Sequence, residues 1–319
     1  MRGIEGGIEM KDMLEGLTEL IIGGRSIPKI LYHYTSPIGF SAIMNDENDG
    51  VRFMCTNYRF LNDDAEFNDG CECAIKWLET HDTGRPDLAK QIIADIKECR
   101  AEDRYGYHPW ILSFSAKRDA TVQWAAYTDR QKGGFSIGVD RLALVKQVRS
   151  LDKKIKKGLR AHDYDDAIGG ASLHPCIYYD RQTDENLAKF QDALSYVFSK
   201  NEAFHKLKDV DESKYATCCA RQIIKLAALL KRKDFEFEDE WRVIVTPVDV
   251  STCFSGIKVR GDKPRISLRT HLPDREIVKE VWIAPHGSKG WNLELARIVK
   301  EIKQDSYELK PSESSYNGR

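Results

Sequence analysis

The sequence predicts an α+β fold with a twisted, mostly antiparallel sheet flanked by helices. Short segments rich in β-branched and aromatic residues recur near residues 30, 51, 111, 135, 241, 257 and 281, as expected for strands. Segments with apolar residues at helical spacing lie between them. Two helical segments follow each other within residues 183–232, which predicts a helical insertion inside a single domain spanning residues 1–319.

Composition limits the classes of function. The 319 residues are 41% hydrophobic, which is enough for a large core. With 49 basic and 50 acidic residues, overall charge gives no reason to expect nucleic-acid or membrane binding. The N-terminus lacks an apolar leader, no apolar run has membrane-spanning length, and the eight cysteines form no paired Cys-x-x-Cys pattern for zinc. We therefore expect a cytoplasmic protein with reduced thiols.

The first strand predicted, Ile30–Thr35, ends at a helix. Ser36 is suited to cap a helix over Ile38–Met44, with Pro37 at its first position. His33 lies two residues before this strand-to-helix turn. A histidine there is either a packed, hydrogen-bonded side chain or part of a site.

A second strand, Val51–Thr56, precedes an acidic segment. Asp63, Asp64 and Glu66 are either helix N-terminal acids favoured by the dipole or ligands of a hard cation. Two helices are predicted between residues 71 and 104, with a break near residues 83–86.

The strand Trp110–Ser115 places Ser113 and Ser115 on one face. Asp119 is suited to cap a following helix, in which Trp124 and Tyr127 are one turn apart. This aromatic pair is either core or a platform for a ligand. A further strand is predicted over residues 135–139.

The middle of the chain is rich in charge and carries one dense basic run, Lys153–Lys157. This run is either a solvated surface or a contact for phosphate. A short edge strand is predicted over residues 177–179, with helices over residues 184–207 and 212–231.

Closely spaced carboxylates precede the strand 241–245. At the rise of a strand, Glu238 and Glu240 would lie roughly 7 Å apart on the face shared with Arg242. Such carboxylates suit catalysis or cation binding, or form a salt-bridged sheet rim. A strand over residues 277–284 and a helix over residues 291–304 follow, and the polar tail 312–319 has a composition that favours fraying.

Six motifs resemble a bacterial family known as a domain of unknown function. They are Leu-Tyr-His-Tyr-Thr-Ser at 31–36, Asn-Asp-x-x-Glu at 62–66, Ser-Phe-Ser at 113–115, Trp-x-x-Tyr at 124–127, Gly-Phe-Ser-Ile-Gly-Val-Asp at 134–140 and Glu-x-Glu-Trp-Arg at 238–242. They span nearly the whole chain, so the resemblance covers most of it.

A strand histidine, a Ser-aromatic-Ser strand and a later Glu-x-Glu also follow the order found in ADP-ribosyltransferases. This resemblance implies a split sheet that binds NAD as substrate. It implies that His33 hydrogen-bonds the adenosine ribose, that Ser113 and Ser115 shape the nicotinamide side of the cleft, and that Tyr127 or Trp124 stacks on nicotinamide. Glu240 would bind the nicotinamide ribose and stabilise the oxocarbenium ion, and Glu238 would orient or deprotonate the acceptor. Phe114 departs from the usual threonine.

The resemblance further implies transfer to a protein or nucleic-acid acceptor, in the toxin or phage-defence roles common among such enzymes. Two other functions remain open. One is a non-catalytic binding or regulatory protein; the other is a metal-dependent hydrolase or nuclease that uses Asp63, Asp64, Glu66, Glu238 and Glu240. The transferase hypothesis requires His33 within about 15 Å of Glu240, because both must reach one dinucleotide.

Overall fold

A split antiparallel sheet organises the computed structural model, which describes residues 16–44, 50–61, 65–81, 83–101, 108–157, 170–180, 187–208, 212–246, 257–260, 263–269 and 275–318. The described strands are β1 (Ile30–Thr35), β2 (Arg52–Asn57), β3 (Trp110–Ser115), β4 (Phe135–Asp140), β5 (Gly170–Pro175), β6 (Ile177–Tyr179), β7 (Leu230–Arg232), β8 (Glu240–Thr246), β9 (Ile257–Arg260), β10 (Lys263–Arg269), β11 (Val278–Ile283) and β12 (Glu308–Pro311).

The sheet divides at β3. On one edge, β8 pairs with β3 along its whole length, from Trp110 opposite Val245 to Ser115 opposite Glu240. On the other edge, β2 pairs only at the start of β3 and β1 only at Ser115. The sheet continues from β1 through β4 and β11 to β12, and from β2 through β10 to β9. The diverging strands β1 and β2 therefore form a fork beside β3.

Helices cover both sides of the sheet. They are α1 (residues 16–22), α2 (Pro37–Met44), α3 (Ala65–Thr80), α4 (Pro86–Arg100), α5 (Thr121–Tyr127), α6 (Arg141–Lys157), α7 (Leu187–Lys208), α8 (Glu212–Ala227) and α9 (Lys289–Ile302). One apolar cluster joins α3, α4, α7 and α8 to Ile111 and Ile244 of the sheet. A second joins α2, α6 and α9 to both halves of the sheet. No helix in the described ranges is long and apolar enough to span a membrane.

The predicted α+β class, with a mostly antiparallel sheet and flanking helices, is confirmed. The β1–α2 unit follows its sequence signals closely, since the Ser36 hydroxyl accepts a hydrogen bond from the Gly39 N–H at 3.2 Å. Side chains of strand β2 alternate between the two faces of the sheet: Phe53 and Cys55 are buried, and Arg52, Met54 and Thr56 are partly exposed.

Several local predictions were wrong. The helix expected over residues 212–231 ends at Ala227, and Leu230–Arg232 forms β7, parallel to β6. Asp119 does not cap α5; it accepts a hydrogen bond from Trp124 Nε1 at 2.6 Å. The described part of the tail, which was expected to fray, contacts the fold: Ser312 and the backbone of Glu313 both donate to Asp119.

Two further elements lie in the charged middle of the chain and were not predicted from the sequence. The residues 141–157 form α6, whose apolar side chains Leu144 and Val148 are buried. Strand β5 is buried throughout and pairs with β8. The lysine run 153–157 belongs to the end of α6, beyond the residues whose side chains the structure describes.

Candidate functional site

A cleft of about 840 Å³ opens in the fork of the sheet. Its lining comes from β1, β2, β3, α2, α3, α5, β7, β8 and the 3-10 turns Tyr58–Phe60 and Lys233–Glu238. Five residues predicted for the NAD site line it together: His33, Ser113, Tyr127, Glu238 and Glu240. Its volume lies within the range of small-molecule sites.

Five charged side chains along one side of this cleft form a buried cluster of ion pairs. Lys231 Nζ lies 2.6 Å from both Glu238 Oε2 and Glu240 Oε2. Arg242 Nε lies 2.9 Å from Glu240 Oε1, and its second terminal nitrogen lies 2.7 Å from Glu66 Oε2. Each side chain is at most 6% exposed. We call these residues the charge cluster; three carboxylates and two cations leave it a formal charge of −1.

The two glutamates meet because the backbone turns sharply between them. The strand begins at Glu240, whereas Glu238 ends a 3-10 turn. Between them Asp239 has φ 44°, a left-handed conformation that aspartate tolerates better than most residues. The expected spacing of roughly 7 Å along one strand face is therefore replaced by convergence of both carboxylates on Lys231.

The charge cluster fixes the ionisation of Glu240 and Lys231. Burial raises the pKa of the Glu240 carboxyl, but Arg242 and Lys231 outweigh burial, and the net pKa lies well below its usual range. Burial lowers the pKa of the Lys231 ammonium, but Glu240 and Glu66 reverse the effect, and the net pKa is raised. Glu240 is thus an anion and Lys231 a cation at neutral pH.

His33 lies at the fork, where β1 diverges from β3. Its Nδ1 lies 2.9 Å from the Ser113 carbonyl oxygen, and its ring makes edge contacts with Phe53 and Phe114, at centroid distances of 5.4 and 5.8 Å.

The strand register pairs Tyr32 with Ser115 and Ser115 with Glu240. Two inter-strand steps therefore put the Tyr32 and Glu240 Cα atoms roughly 10 Å apart, and His33 is the next residue along β1. This separation lies within the limit of about 15 Å that a shared dinucleotide sets.

Tyr127 joins the cleft to the charge cluster. Its hydroxyl donates to Glu238 Oε1 at 2.9 Å, while its side chain remains 37% exposed. Burial and the neighbouring Glu238 carboxylate raise the pKa of Tyr127, so the phenol stays protonated at neutral pH. The ring is therefore held at the cleft by a hydrogen bond to a buried anion.

Two predicted site residues lie outside the cleft lining. Trp124 is fully buried and packs edge-on against Tyr34, at a centroid distance of 4.8 Å; from there it cannot stack on a ligand in the cleft. Ser115 is 2% exposed, and its hydroxyl donates to the Glu238 carbonyl oxygen at 2.6 Å. Ser115 instead supports the turn that carries Glu238.

Sequence reasoning missed Lys231 and Tyr178. Lys231 was assigned to a helix end, and its role depends on the pairing of β7 with β6. The Tyr178 hydroxyl accepts the Glu240 N–H at 2.7 Å, so it fixes the first residue of β8. No local signal connects residue 178 to residue 240, because the contact forms only when the two strands pack together.

The acidic residues of the alternative metal-site prediction do not come together as a group of ligands in the described part of the chain. Asp63 and Asp64 lie outside the described residues, while Glu66 is paired with Arg242. Within the described ranges, no group of three or more His, Cys, Asp or Glu side chains has the geometry to hold a metal ion.

Comparison with known proteins adds one match. Residues 123–243 match the model of a family described as a protein of unknown function, DUF2971. The matched region contains Trp124–Tyr127, Gly134–Asp140 and Glu238–Arg242, three of the motifs on which the first resemblance rests. No curated protein and no solved structure matches the chain. The predicted resemblance to a domain family of unknown function is confirmed over residues 123–243, which carry the Glu-x-Glu-Trp-Arg motif of the cleft.

Proposed function

We propose that the cleft binds NAD and catalyses ADP-ribosyl transfer to a macromolecular acceptor, in a split sheet of the ADP-ribosyltransferase type. The observation that supports this most directly is convergence. His33, Ser113, Tyr127 and both glutamates come from four distant parts of the chain and line one cleft of about 840 Å³, a volume suited to a dinucleotide.

In this proposal Glu240 stabilises positive charge on the nicotinamide ribose. The bond between C1′ and the ring nitrogen breaks, and its electron pair neutralises the pyridinium as nicotinamide leaves. A nucleophilic atom of the acceptor then bonds to C1′ and loses its proton to Glu238 or to water. Glu240 supports this step because Arg242 and Lys231 keep it ionised, and a fixed anion needs no reorganisation when charge develops.

Tyr127 and Ser113 would form the nicotinamide side of the site. The Tyr127 ring is partly exposed at the cleft and tethered to Glu238, which orients it for stacking on an aromatic ligand. Ser113 also lines the cleft. His33 would contact the adenosine ribose across β3 from Glu240.

A second candidate is a non-catalytic binding protein. It is favoured by the internal pairing of the charge cluster, in which both Glu240 oxygens already accept hydrogen bonds from Arg242 and Lys231. Such an arrangement also occurs where a buried ion pair only specifies structure. The two candidates differ in turnover, because only the first breaks the glycosidic bond.

The test is nicotinamide release from NAD by purified protein, alone and with fractionated lysate. Glu240→Gln preserves size and should lower the rate by about 100-fold or more, with Ser113→Ala as a second variant that leaves the charge cluster intact. Glu294→Gln, on the exposed face of α9, is the matched control (59% exposed). If no fraction supports release or labelling, or if Glu240→Gln folds and turns over normally, the proposal is wrong.

A further inference from the structure

We propose that the chain forms a symmetric dimer through helix α9, whose exposed apolar side packs against the same helix of a second copy in antiparallel orientation. This surface lies away from the cleft, because none of the described residues that line the cleft belongs to α9. The dimer therefore does not depend on the proposed function.

Helix α9 carries more apolar residues than its packing on the sheet uses. Ala296 and Val299 are buried in the core that joins α9 to the sheet. Four other apolar residues follow the spacing i, i+4, i+7 and i+11: Trp291, Leu295, Ile298 and Ile302. At about 100° of rotation per residue, these four side chains fall within an arc of about 60°. We call them the apolar stripe.

The apolar stripe is open to solvent. Trp291 is 80% exposed, Ile302 70% and Ile298 45%, while Leu295 packs partly against the core. The stripe presents roughly 400 Å² of apolar surface, as large as the largest patch on a typical monomer. A helix face that only contacts water normally carries polar residues, so this stripe indicates an interaction surface.

The spacing of the stripe indicates that another helix covers it. Alternating steps of four and three residues are those of the a and d positions of a coiled coil, whose seam accepts a second helix with the same pattern. The commonest homodimers use one surface patch twice about a two-fold axis. With that axis midway between Leu295 and Ile298, Trp291 of one copy lies opposite Ile302 of the other, and Leu295 lies opposite Ile298.

Charge beside the stripe favours the antiparallel orientation. Glu294 and Arg297 lie on the exposed flank of α9, at 59% and 61% exposure, with 4.0 Å between Glu294 Oε2 and Arg297 Nη1. In the antiparallel register, Arg297 of one copy is offset by only about 3 Å along the helix axis from Glu294 of the other. The dimer thus gains two pairs of opposite charges. A parallel pair would set this charged flank against the side of the partner helix that packs on its own core.

The area is sufficient for a specific, moderately stable dimer. Two stripes supply roughly 800 Å² of apolar surface, and interfaces are about 60% apolar, so the whole interface is roughly 1,300 Å². This value lies at the low end of specific interfaces. We therefore expect a dimer with roughly micromolar affinity.

Sedimentation of the full chain between about 1 and 100 µM measures this affinity. Trp291→Ala and Ile302→Glu should each raise the dissociation constant about tenfold or more, since symmetry repeats each loss. Leu142→Glu, at a residue of α6 that is 60% exposed, is the matched control and should dimerise like the wild type. Because the two substituted stripe residues are largely exposed, urea unfolding of the monomers should match the wild type.

Two further experiments test the register. Arg297→Glu should weaken the dimer, and adding Glu294→Arg should restore it, because the exchange recreates both pairs. Trp291→Cys and Ile302→Cys chains should form a disulfide between copies when mixed under oxidation, and much less when either is oxidised alone. Crosslinking of each variant with itself would indicate a parallel pair and overturn the antiparallel arrangement.

The dimer itself is refuted by a monomeric wild type throughout this concentration range, or by a dimer that Ile302→Glu leaves unchanged. Vesicles of phosphatidylcholine and phosphatidylserine test the other apolar occupant. A monomer that binds these vesicles, and loses binding in Trp291→Ala, would assign the stripe to a membrane surface and overturn the proposal.

Discussion

Replacing Lys231 by methionine should destabilise the protein strongly, because Lys231 is the cation shared by the carboxylates of the charge cluster. Its Nζ lies 2.6 Å from Glu238 and from Glu240 and 3.7 Å from Glu66. Removing one partner from a buried ion pair costs about 3–5 kcal/mol. Methionine has a similar length, so the loss comes mainly from electrostatics and not from an empty space.

A second substitution should restore part of this loss. Lys231→Met leaves three carboxylates with Arg242 alone, a formal charge of −2. Adding Glu238→Gln returns the cluster to −1 and leaves Tyr127 a neutral acceptor. The double variant should regain about 2 kcal/mol relative to the single variant, because contacting residues are not additive.

Urea unfolding at pH 7, followed by the fluorescence of the six tryptophans, measures these free energies. Lys90→Met is the matched control, since Lys90 is 77% exposed in a single surface pair; its cost should stay below about 0.5 kcal/mol. The wild type loses the contribution of Glu240 as pH falls below the ordinary carboxyl pKa of 4.5, because the folded pKa is depressed. The difference in unfolding free energy between the wild type and Lys231→Met should therefore become smaller as the pH falls. A loss under about 1 kcal/mol at pH 7, or a double variant no more stable than the single, would refute this reasoning.

Three further perturbations test the packing around the site. Burial, and to a lesser degree Lys225, lowers the pKa of His174 from 6.5 to about 3. The folded protein therefore favours the neutral imidazole, and the stability that His174 contributes is complete above pH 6.5 and is lost as the pH falls toward 3. Between pH 6.5 and about 5, urea unfolding of the wild type should therefore lose about 2 kcal/mol more than that of His174→Gln. Deleting residues 312–319 removes the contacts of the tail with Asp119 and should speed amide exchange in α5 by about tenfold, whereas unchanged exchange would contradict this role. In Gly70→Ala the new Cβ would lie 2.3 Å from the Ala227 carbonyl oxygen, so urea unfolding should show a loss of about 2 kcal/mol despite the better helix propensity.

Elements set by local signals could be predicted from the sequence. The β1–α2 unit is an example, because Ser36 and Pro37 act within one turn and the short aromatic and apolar run of β1 is itself typical of a strand. His33 and Ser113 were likewise identified on strands, and the structure places both on one cleft. Period and capping chemistry were sufficient for these positions.

Elements whose roles depend on distant partners could not be predicted. Asp119 resembles a helix cap in sequence, yet its oxygens bind Trp124 and the tail, which is 193 residues further along the chain. Strand β7 follows a helix without a break in apolar character, and its pairing with β6 decides that Leu230–Arg232 is extended. The same pairing places Lys231 between the two glutamates, so the most consequential side chain of the site had no local signal.

The charge cluster differs from a purely structural ion-pair network in lining an open cleft. A sealed ion-pair network could hold the same five side chains, and there its charge would only specify structure. Here all five members of the charge cluster line an open cleft. Under the proposed function, their uncompensated negative charge would act on the ligand through a medium less polar than water. Since Arg242 and Lys231 keep Glu240 ionised, this charge persists without the solvent reorganisation that a lone exposed carboxylate would need. A permanent, oriented anion beside a cleft is what stabilisation of a cationic transition state requires.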